Sequence, residues 1–309
     1  MRVVFMGNPD FAIPTLKSLL QSSHKVVGVM SNPPKPIGRG QKLYSTPVGR
    51  FSAENNIHLI EAQNLNSPSL HQEILSLNPE IFVVVAYRIL PKTLIKLPKF
   101  GAINLHASLL PKYRGAGPIQ WALMNGEKKT GVTIFQISKN IDTGAILLNK
   151  EVSISPNDNM ISLGTRLCTI GAKLIIKALD GIQDKTINPI PQNHNLASNA
   201  PKITKNMTLI NWSWNAEKIH NWVRGLSPYP GMFTTWEGKR IRIFNTRVED
   251  IIIESKSGCI YKISNREVFV NTGRSVLVFS EVQLEGKKRM KVQDFLLGNN
   301  LMKGDLLGS

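Results

Sequence analysis

The stretch I-F-V-V-V-A at residues 81–86 is short, apolar and rich in β-branched side chains. Such a run, without alternating polar positions, is typical of a parallel strand that is buried on both faces of a sheet. The first half of the chain contains three more runs of this kind: Arg2–Met6, Lys25–Met30 and Gly101–Leu105. Segments with apolar residues at helical spacing lie between them, at Phe11–Leu20, Val48–Asn55 and Ser69–Leu77. This alternation predicts an α/β fold with a doubly wound, mostly parallel sheet.

The second half of the chain changes character. The runs at 130–137 and 145–152 predict a pair of strands, and a helix from about Asn159 to Leu179 completes the first domain. A segment rich in Pro and Asn then predicts a linker.

The last third predicts a separate small domain. It begins with a helix whose N-cap is expected at Ser213 or Asn215, and short alternating strands with Gly-containing turns follow. These strands predict a small C-terminal β-barrel of OB-like type. The predicted boundaries are 1–188 for the first domain, 189–206 for the linker and 207–309 for the second domain.

Charge indicates the class of partner. The chain has 38 Lys and Arg against 21 Asp and Glu, a net charge of +17, and no acid occurs between Asp10 and Glu54. Such an excess attracts polyanions, of which nucleic acid is the commonest. A lysine-rich genome composition would also make the chain basic, so charge alone leaves both explanations open.

Several other classes are disfavoured. The two cysteines, Cys168 and Cys259, lie far apart and form neither a disulfide framework nor a zinc motif. No apolar run has the roughly 18–20 residues of a membrane span. The first strand is followed by G-N-P-D-F-A and not by G-x-G-x-x-G, which disfavours a dinucleotide site. A cytoplasmic protein without a metal site or a membrane partner is expected.

Three polar residues are the best candidates for chemistry. Asn104 and His106 lie two apart at the end of a predicted strand, so their side chains point to the same side. Asp142 precedes Thr143 and Gly144 in a sequence typical of a tight turn. Strand ends in open α/β sheets are the usual places for ligands. On the residues alone, a turn-capping aspartate and a structural histidine are the more frequent explanations of such positions.

The sequences around these residues resemble a known family. N-L-H-A-S-L-L-P-K-Y-R-G-A-G-P-I-Q from residue 104 and G-V-T-I-F-Q-I-S-K-N-I-D-T-G-A from residue 131 are similar to the two central motifs of the 10-formyltetrahydrofolate-dependent formyltransferases. F-M-G-N-P-D-F-A, P-P-K-P-I-G-R-G-Q-K-L-Y-S-T-P-V, N-W-S-W and G-L-S-P-Y-P-G extend the resemblance over nearly the whole chain. It is strongest to the branch that formylates methionyl-tRNA. The chain differs at A-Y-R-I-L-P, from residue 86, where the family usually has A-Y-G and one residue more.

The resemblance implies a reaction and a site. The formyl group would pass from 10-formyltetrahydrofolate to the α-amine of initiator methionyl-tRNA, with no metal and with a monomeric enzyme. Asn104 would bind the formyl oxygen, His106 would stabilise charge and transfer protons, and Asp142 would orient His106. The folate contacts expected are Ser108, Leu109, Leu110, Pro111 and Tyr87.

The resemblance also implies an RNA-binding surface. The segment Asn32–Pro47 combines Pro, Gly and basic residues, which predicts a mobile loop that becomes ordered on RNA. The tRNA contacts expected are Arg39, Lys42, Lys205 and Arg240. Two other classes remain open: a formyltransferase that acts on an amino sugar nucleotide or on glycinamide ribonucleotide, and a binding protein that kept the fold without catalysis. Dependence of the activity on RNA would separate them.

Overall fold

The computed structural model describes residues 1–38 and 40–308. The chain divides into two compact units. The first comprises Met1–Pro118, Lys129–Ser153 and Gly164–Pro201, and the second comprises Ile119–Lys128, Ile154–Leu163 and Lys202–Ser309. Within the described residues, none of the helices combines the length and apolarity that crossing a membrane requires.

The first unit is built on a seven-stranded sheet and a separate two-stranded one. Its strands are β1 (Arg2–Gly7), β2 (Lys25–Ser31), β3 (Lys35–Ile37), β4 (Lys42–Tyr44), β5 (Leu59–Glu61), β6 (Ile81–Val85), β7 (Ala102–His106), β8 (Lys129–Gln136) and β9 (Ile146–Ser153). The helices that precede or follow these strands are α1 (Ile13–Leu20), α2 (Pro47–Glu54), α3 (Pro68–Ser76), α4 (Lys92–Ile95), α5 (Pro118–Met124) and α6 (Met160–Gln183). All of α5 except its first residue, and the first four residues of α6, belong to the second unit.

The large sheet has the order β5-β2-β1-β6-β7-β8-β9. Its first five strands are parallel, and β8 and β9 are antiparallel to their neighbours. The strand order reverses between β1 and β6, which is where open α/β sheets form a ligand cleft at the carboxyl ends of their strands. The predicted α/β class and mostly parallel sheet are confirmed.

The apolar runs explain why these strands form. All five residues of β6 are buried, as are five of the six residues of β1, because helices cover both faces of a parallel sheet. The helix predicted over 159–179 begins at Met160 but continues to Gln183. The sheet therefore follows the sequence pattern closely, whereas the helix end does not.

The segment Asn32–Pro47 contains regular structure. Strands β3 and β4 pair as an antiparallel hairpin, and the Thr46 hydroxyl accepts a hydrogen bond of 2.9 Å from the Gly49 amide to cap α2. Leu43 is 72% exposed at this hairpin. The expected loop is thus a hairpin, and Arg39 lies outside the described residues.

The second unit is dominated by an antiparallel sheet. Its strands are β10 (Met232–Trp236), β11 (Lys239–Glu249), β12 (Ile260–Ile263), β13 (Val268–Asn271), β14 (Val276–Leu284) and β15 (Met290–Lys291), with helices α7 (Ala216–Leu226) and α8 (Val292–Leu296). The order is β10-β11-β14-β13-β12, and β15 pairs with β14. Among the described residues no ladder joins β10 to β12, as in a partly open barrel.

Helix α7 covers one face of this sheet. Of the two N-caps predicted, Asn215 is the one used: its side-chain oxygen accepts from the Lys218 amide at 2.7 Å. Ile219 and Val223 of the helix belong to the same apolar core as Ile241 and Ile243 of β11. The alternation along β11 therefore buries its odd-numbered residues at this point and leaves Arg240 and Arg242 on the other face.

The segment predicted as a linker makes specific contacts in the first unit. Ile190 and Ile146 exchange two backbone hydrogen bonds of 2.8 Å, and Asn199 forms a parallel bridge with Arg114. The first unit extends to Pro201, and the second begins at Lys202. The role of 189–206 as a domain linker stays a prediction.

Candidate active site

His106 ends strand β7 and is held between two partners. Its side chain is 6% exposed, and its Nε2 atom lies 2.8 Å from the carbonyl oxygen of Tyr113. A carbonyl oxygen can only accept, so Nε2 carries a proton. The other ring nitrogen, Nδ1, lies 3.7 Å from Oδ2 of Asp142, within ion-pair distance. Nδ1 is therefore the atom at which His106 can exchange a proton, next to a carboxylate.

Asp142 is placed by a tight turn between β8 and β9. Its φ is +52°, a left-handed conformation that Asp tolerates better than most residues. Its Oδ2 atom accepts a hydrogen bond of 2.8 Å from the Gly115 amide, and the side chain is only 12% exposed. A Cβ atom at Gly144 would lie 1.7 Å from the Gln136 carbonyl oxygen, so only glycine fits there. The D-T-G sequence is thus a turn that delivers a carboxylate to His106.

Asn104 lies on the same strand as His106, two residues earlier. Its side chain is partly exposed and makes no hydrogen bond to any residue that the structure describes. Neither polar atom of its carboxamide is among the buried atoms that lack a partner in the described residues, so both atoms are accessible. Asn104 is therefore available to a ligand at the carboxyl end of β7.

The loop after His106 is fastened to strand β8. Thr133 donates its hydroxyl proton to the Ser108 carbonyl at 2.7 Å and accepts from the Leu110 amide at 3.1 Å. The hydroxyl of Ser108 donates to the Lys112 carbonyl at 2.6 Å. Ser108 and Leu110 are buried, whereas Leu109 and Pro111 keep partly exposed surface. Of the four folate contacts expected in this loop, Leu109 and Pro111 offer surface to a ligand in this conformation.

Tyr87 follows strand β6, and Arg88 fixes its position. The guanidinium lies 5.2 Å from the Tyr87 ring centre and donates to its hydroxyl at 2.9 Å. It also donates to the carbonyl groups of Ala62 and Gln63, just beyond strand β5. Burial raises the pKa of Tyr87, so the phenol stays protonated at neutral pH. Arg88 thus links the ends of β5 and β6 and fixes an aromatic ring at the carboxyl end of the sheet.

Several residues of the site were not found from the sequence. Thr133 had a signal, as a buried polar residue within an apolar strand. Tyr113 and Ser198 had none: the Tyr113 carbonyl contacts His106, while its amide donates to the Ser198 hydroxyl at 2.9 Å. Gln192, in the predicted linker, contacts the backbone of the Asp142 turn. These contacts join residues far apart in the chain, so no local pattern marks them.

The basic residues predicted to bind tRNA lie in both units. Lys42 is exposed on the β3–β4 hairpin of the first unit. In the second unit, Lys205 is exposed on a short 3-10 helix, and the Arg240 guanidinium lies 4.4 Å from the Phe233 ring centre.

Among residues 1–38 and 40–308, no group of three or more His, Cys, Asp or Glu side chains could hold a metal ion.

Comparison with known proteins identifies relatives of both units. Residues 1–179 match the family model "Formyl transferase", and residues 202–300 match "Formyl transferase, C-terminal domain". The methionyl-tRNA formyltransferase of Alkaliphilus oremlandii is 42% identical over 309 residues, which is 100% of both chains.

Solved structures show the same fold. The methionyl-tRNA formyltransferase from Clostridium thermocellum aligns with a TM-score of 0.57 and 16% identity, over 92% of this chain and 98% of that one. The sugar 3N-formyl transferase WlaRD, crystallised in the presence of dTDP and 5-N-formyl-THF, aligns with a TM-score of 0.68 and 19% identity, over 93% and 99%. At such identities the likeness concerns the fold alone.

Proposed function

The chain belongs to the formyl transferase family, and we propose that it transfers the formyl group of 10-formyltetrahydrofolate to the α-amino group of initiator methionyl-tRNA. The observation that carries the proposal is the 42% identity over the full length of a methionyl-tRNA formyltransferase, including the C-terminal domain. We place the reaction in the cytoplasm and assign it to a monomer. The basic composition of the chain supports a polyanionic substrate.

The reaction forms one covalent bond to the formyl carbon and breaks another. The amine nitrogen of the methionyl group bonds to the formyl carbon, the bond between that carbon and N10 breaks, the amine loses a proton and N10 gains one. The folate co-substrate supplies the formyl group. Residues at the carboxyl ends of β6 and β7 suit it, since Tyr87, Leu109 and Pro111 offer partly exposed apolar surface and Asn104 offers a free carboxamide.

Asn104 is the proposed donor to the formyl oxygen. Negative charge gathers on this oxygen as the carbon becomes tetrahedral, and an amide N–H directed at it is worth roughly 3–4 kcal/mol in comparable sites. The free carboxamide of Asn104 at the carboxyl end of β7 supports this role.

His106 and Asp142 are proposed to manage the protons. The bond from Nε2 to the Tyr113 carbonyl fixes the ring, so Nδ1 is the nitrogen that takes the proton of the attacking amine and passes it on. The carboxylate of Asp142, 3.7 Å away, faces the positive charge that Nδ1 acquires while it carries this proton. Burial of both side chains strengthens this interaction, because water screens it little.

One assay tests the proposal. Radiolabelled formyl transfer is measured from 10-formyltetrahydrofolate to initiator methionyl-tRNA and, separately, to a dTDP-linked amino sugar. We expect product only with the tRNA. Product with the amino sugar alone would replace the proposed function with the alternative, and no product with either would refute formyl transfer to both acceptor classes.

A further inference from the structure

Gln192 is buried against the turn that carries Asp142. Its side chain is 7% exposed, and its Nε2 group donates to the carbonyl oxygens of Asp142, at 3.0 Å, and Gly144, at 2.8 Å. Its Oε1 atom accepts from the guanidinium of Arg114, with the Nε atom 3.2 Å away. All the polar groups of the carboxamide are therefore used. The reverse orientation would oppose N–H to N–H and oxygen to oxygen, so these contacts fix the amide.

These contacts matter because the turn is unfavourable by itself. Asp142 has a positive φ, which costs free energy for a residue with a Cβ atom. The carbonyl groups of Asp142 and Gly144 both accept a hydrogen bond from the side-chain amide of Gln192, and each would lose that bond without it. A buried carbonyl without a partner costs about 1–3 kcal/mol. Gln192 thus stabilises the backbone conformation that directs the Asp142 carboxylate towards His106.

The second anchor of Asp142 belongs to the same structure. Arg114, which holds the Oε1 atom of Gln192, precedes Gly115, whose amide donates to Oδ2 of Asp142 at 2.8 Å. The backbone of Arg114 is itself fixed by hydrogen bonds with Ser198 and Ala200. Asp142 is therefore held at its carbonyl by Gln192 and at its carboxylate by Gly115, in one closed ring of contacts.

We propose that Gln192 is a positioning residue for formyl transfer, which acts by holding the Asp142 turn so that its carboxylate stays beside Nδ1 of His106. The inference rests on the proposed function, in which these two side chains manage the protons. The polar groups of Gln192 are bound to the Asp142 turn and to Arg114, so its effect on the reaction passes through Asp142.

The test is a double-mutant cycle with the full-length enzyme. Gln192→Glu keeps the shape of the side chain and its contact with Arg114 but replaces the two N–H donors with an oxygen that repels both carbonyls. We expect kcat to fall at least about tenfold, because displacements of about 1 Å in an active site are this costly. KM for folate and for tRNA should stay within about twofold. Gln192→Met, which has neither donor nor charge, should have a similar effect.

The decisive measurement is the same substitution in an Asp142→Asn background. If Gln192 acts through Asp142, its substitution in this background should lower kcat by less than about threefold. The reason is that substitutions of residues that act as a unit do not have additive effects. Gln72→Glu, an exposed change on α3, is the matched control and should leave kcat unchanged. Circular dichroism checks that each variant is folded.

Two results would overturn the proposal while leaving the function intact. One is an unchanged kcat in both Gln192 variants, and the other is an equal loss in the wild-type and Asp142→Asn backgrounds, which would mean a purely structural residue. If Gln192→Glu does not fold, the cycle with Gln192→Met decides. Absence of transfer to methionyl-tRNA by the wild-type enzyme would overturn the proposed function and this inference together.

Discussion

The Nδ1 atom of His106, at the end of strand β7, lies 3.7 Å from the carboxylate of Asp142, in the connection between β8 and β9. His106 comes from the end of a parallel strand, and Asp142 from the turn of an antiparallel pair. Strand β8 runs antiparallel to β7 and ends opposite Ile103, so it is the connection from β8 to β9 that brings Asp142 back to the side chain of His106.

The first prediction concerns this pair. Asp142→Asn should lower kcat by about 10²-fold or more, since it removes the charge that stabilises protonated His106. The fold should survive, because the Asn oxygen can still accept from the Gly115 amide. Single-turnover formylation of methionyl-tRNA measures the loss. Turnover equal to wild type would remove Asp142 from the mechanism.

The second prediction compares two threonines of strand β8. Thr133→Val should reduce the free energy of unfolding by about 1–3 kcal/mol, because it leaves the buried amide of Leu110 without a partner. Thr130→Val is the matched control: its buried hydroxyl has no hydrogen-bond partner, so the change should be neutral or slightly stabilising. Urea unfolding followed by circular dichroism gives both values. Equal destabilisation would contradict the role of the Thr133 hydroxyl.

The third prediction concerns pH and stability. Burial, together with the charge of Arg224, lowers the pKa of His220 below its usual 6.5. Its Nδ1 atom lies 2.9 Å from the Thr246 hydroxyl. As pH falls below about 6.5, the unfolded chain binds a proton that the folded chain does not, so stability should be lost from there down to the folded-state pKa.

Substitution of His220 by Asn should weaken this pH dependence. Urea midpoints are compared at about pH 7.5 and about pH 5.5 for the two proteins. His24, whose pKa burial also lowers, contributes with the same sign, so part of the dependence should remain. An unchanged pH dependence in His220→Asn would contradict the prediction.

The fourth prediction concerns RNA affinity. Arg240→Gln, Lys42→Ala and Arg39→Ala should each weaken tRNA binding without changing folate affinity. If each contacts one phosphate, the slope of log K against log salt should become shallower by about 0.7–0.9. Arg266→Gln, an exposed change in the second unit, is the control for Arg240. An unaltered salt slope in the three variants would place the RNA contacts elsewhere.

The sequence was most informative where structure is local. The apolar runs became β1, β2, β6 and β7, and the cap of α7 is one of the two residues predicted. Five short strands were missed, since none is long enough to show a period of alternating side chains: β3, β4, β5, β12 and β15. Their pairing depends on partners brought together by the fold, and single-strand propensity is weak at this length.

By itself, the sequence determined the α/β class, the antiparallel C-terminal sheet, the family motifs and the position of Asn104 and His106 on one strand face. These follow from periodicity and from residues close together in the chain. Only the tertiary structure decided that Nε2 of His106 binds the Tyr113 carbonyl, that Thr133 fastens the loop, and that Gln192 holds the Asp142 turn. The physical reason is that a buried polar group pairs with whichever partner the packing brings next to it. Because these partners lie far apart in the chain, no local sequence pattern marks the pair.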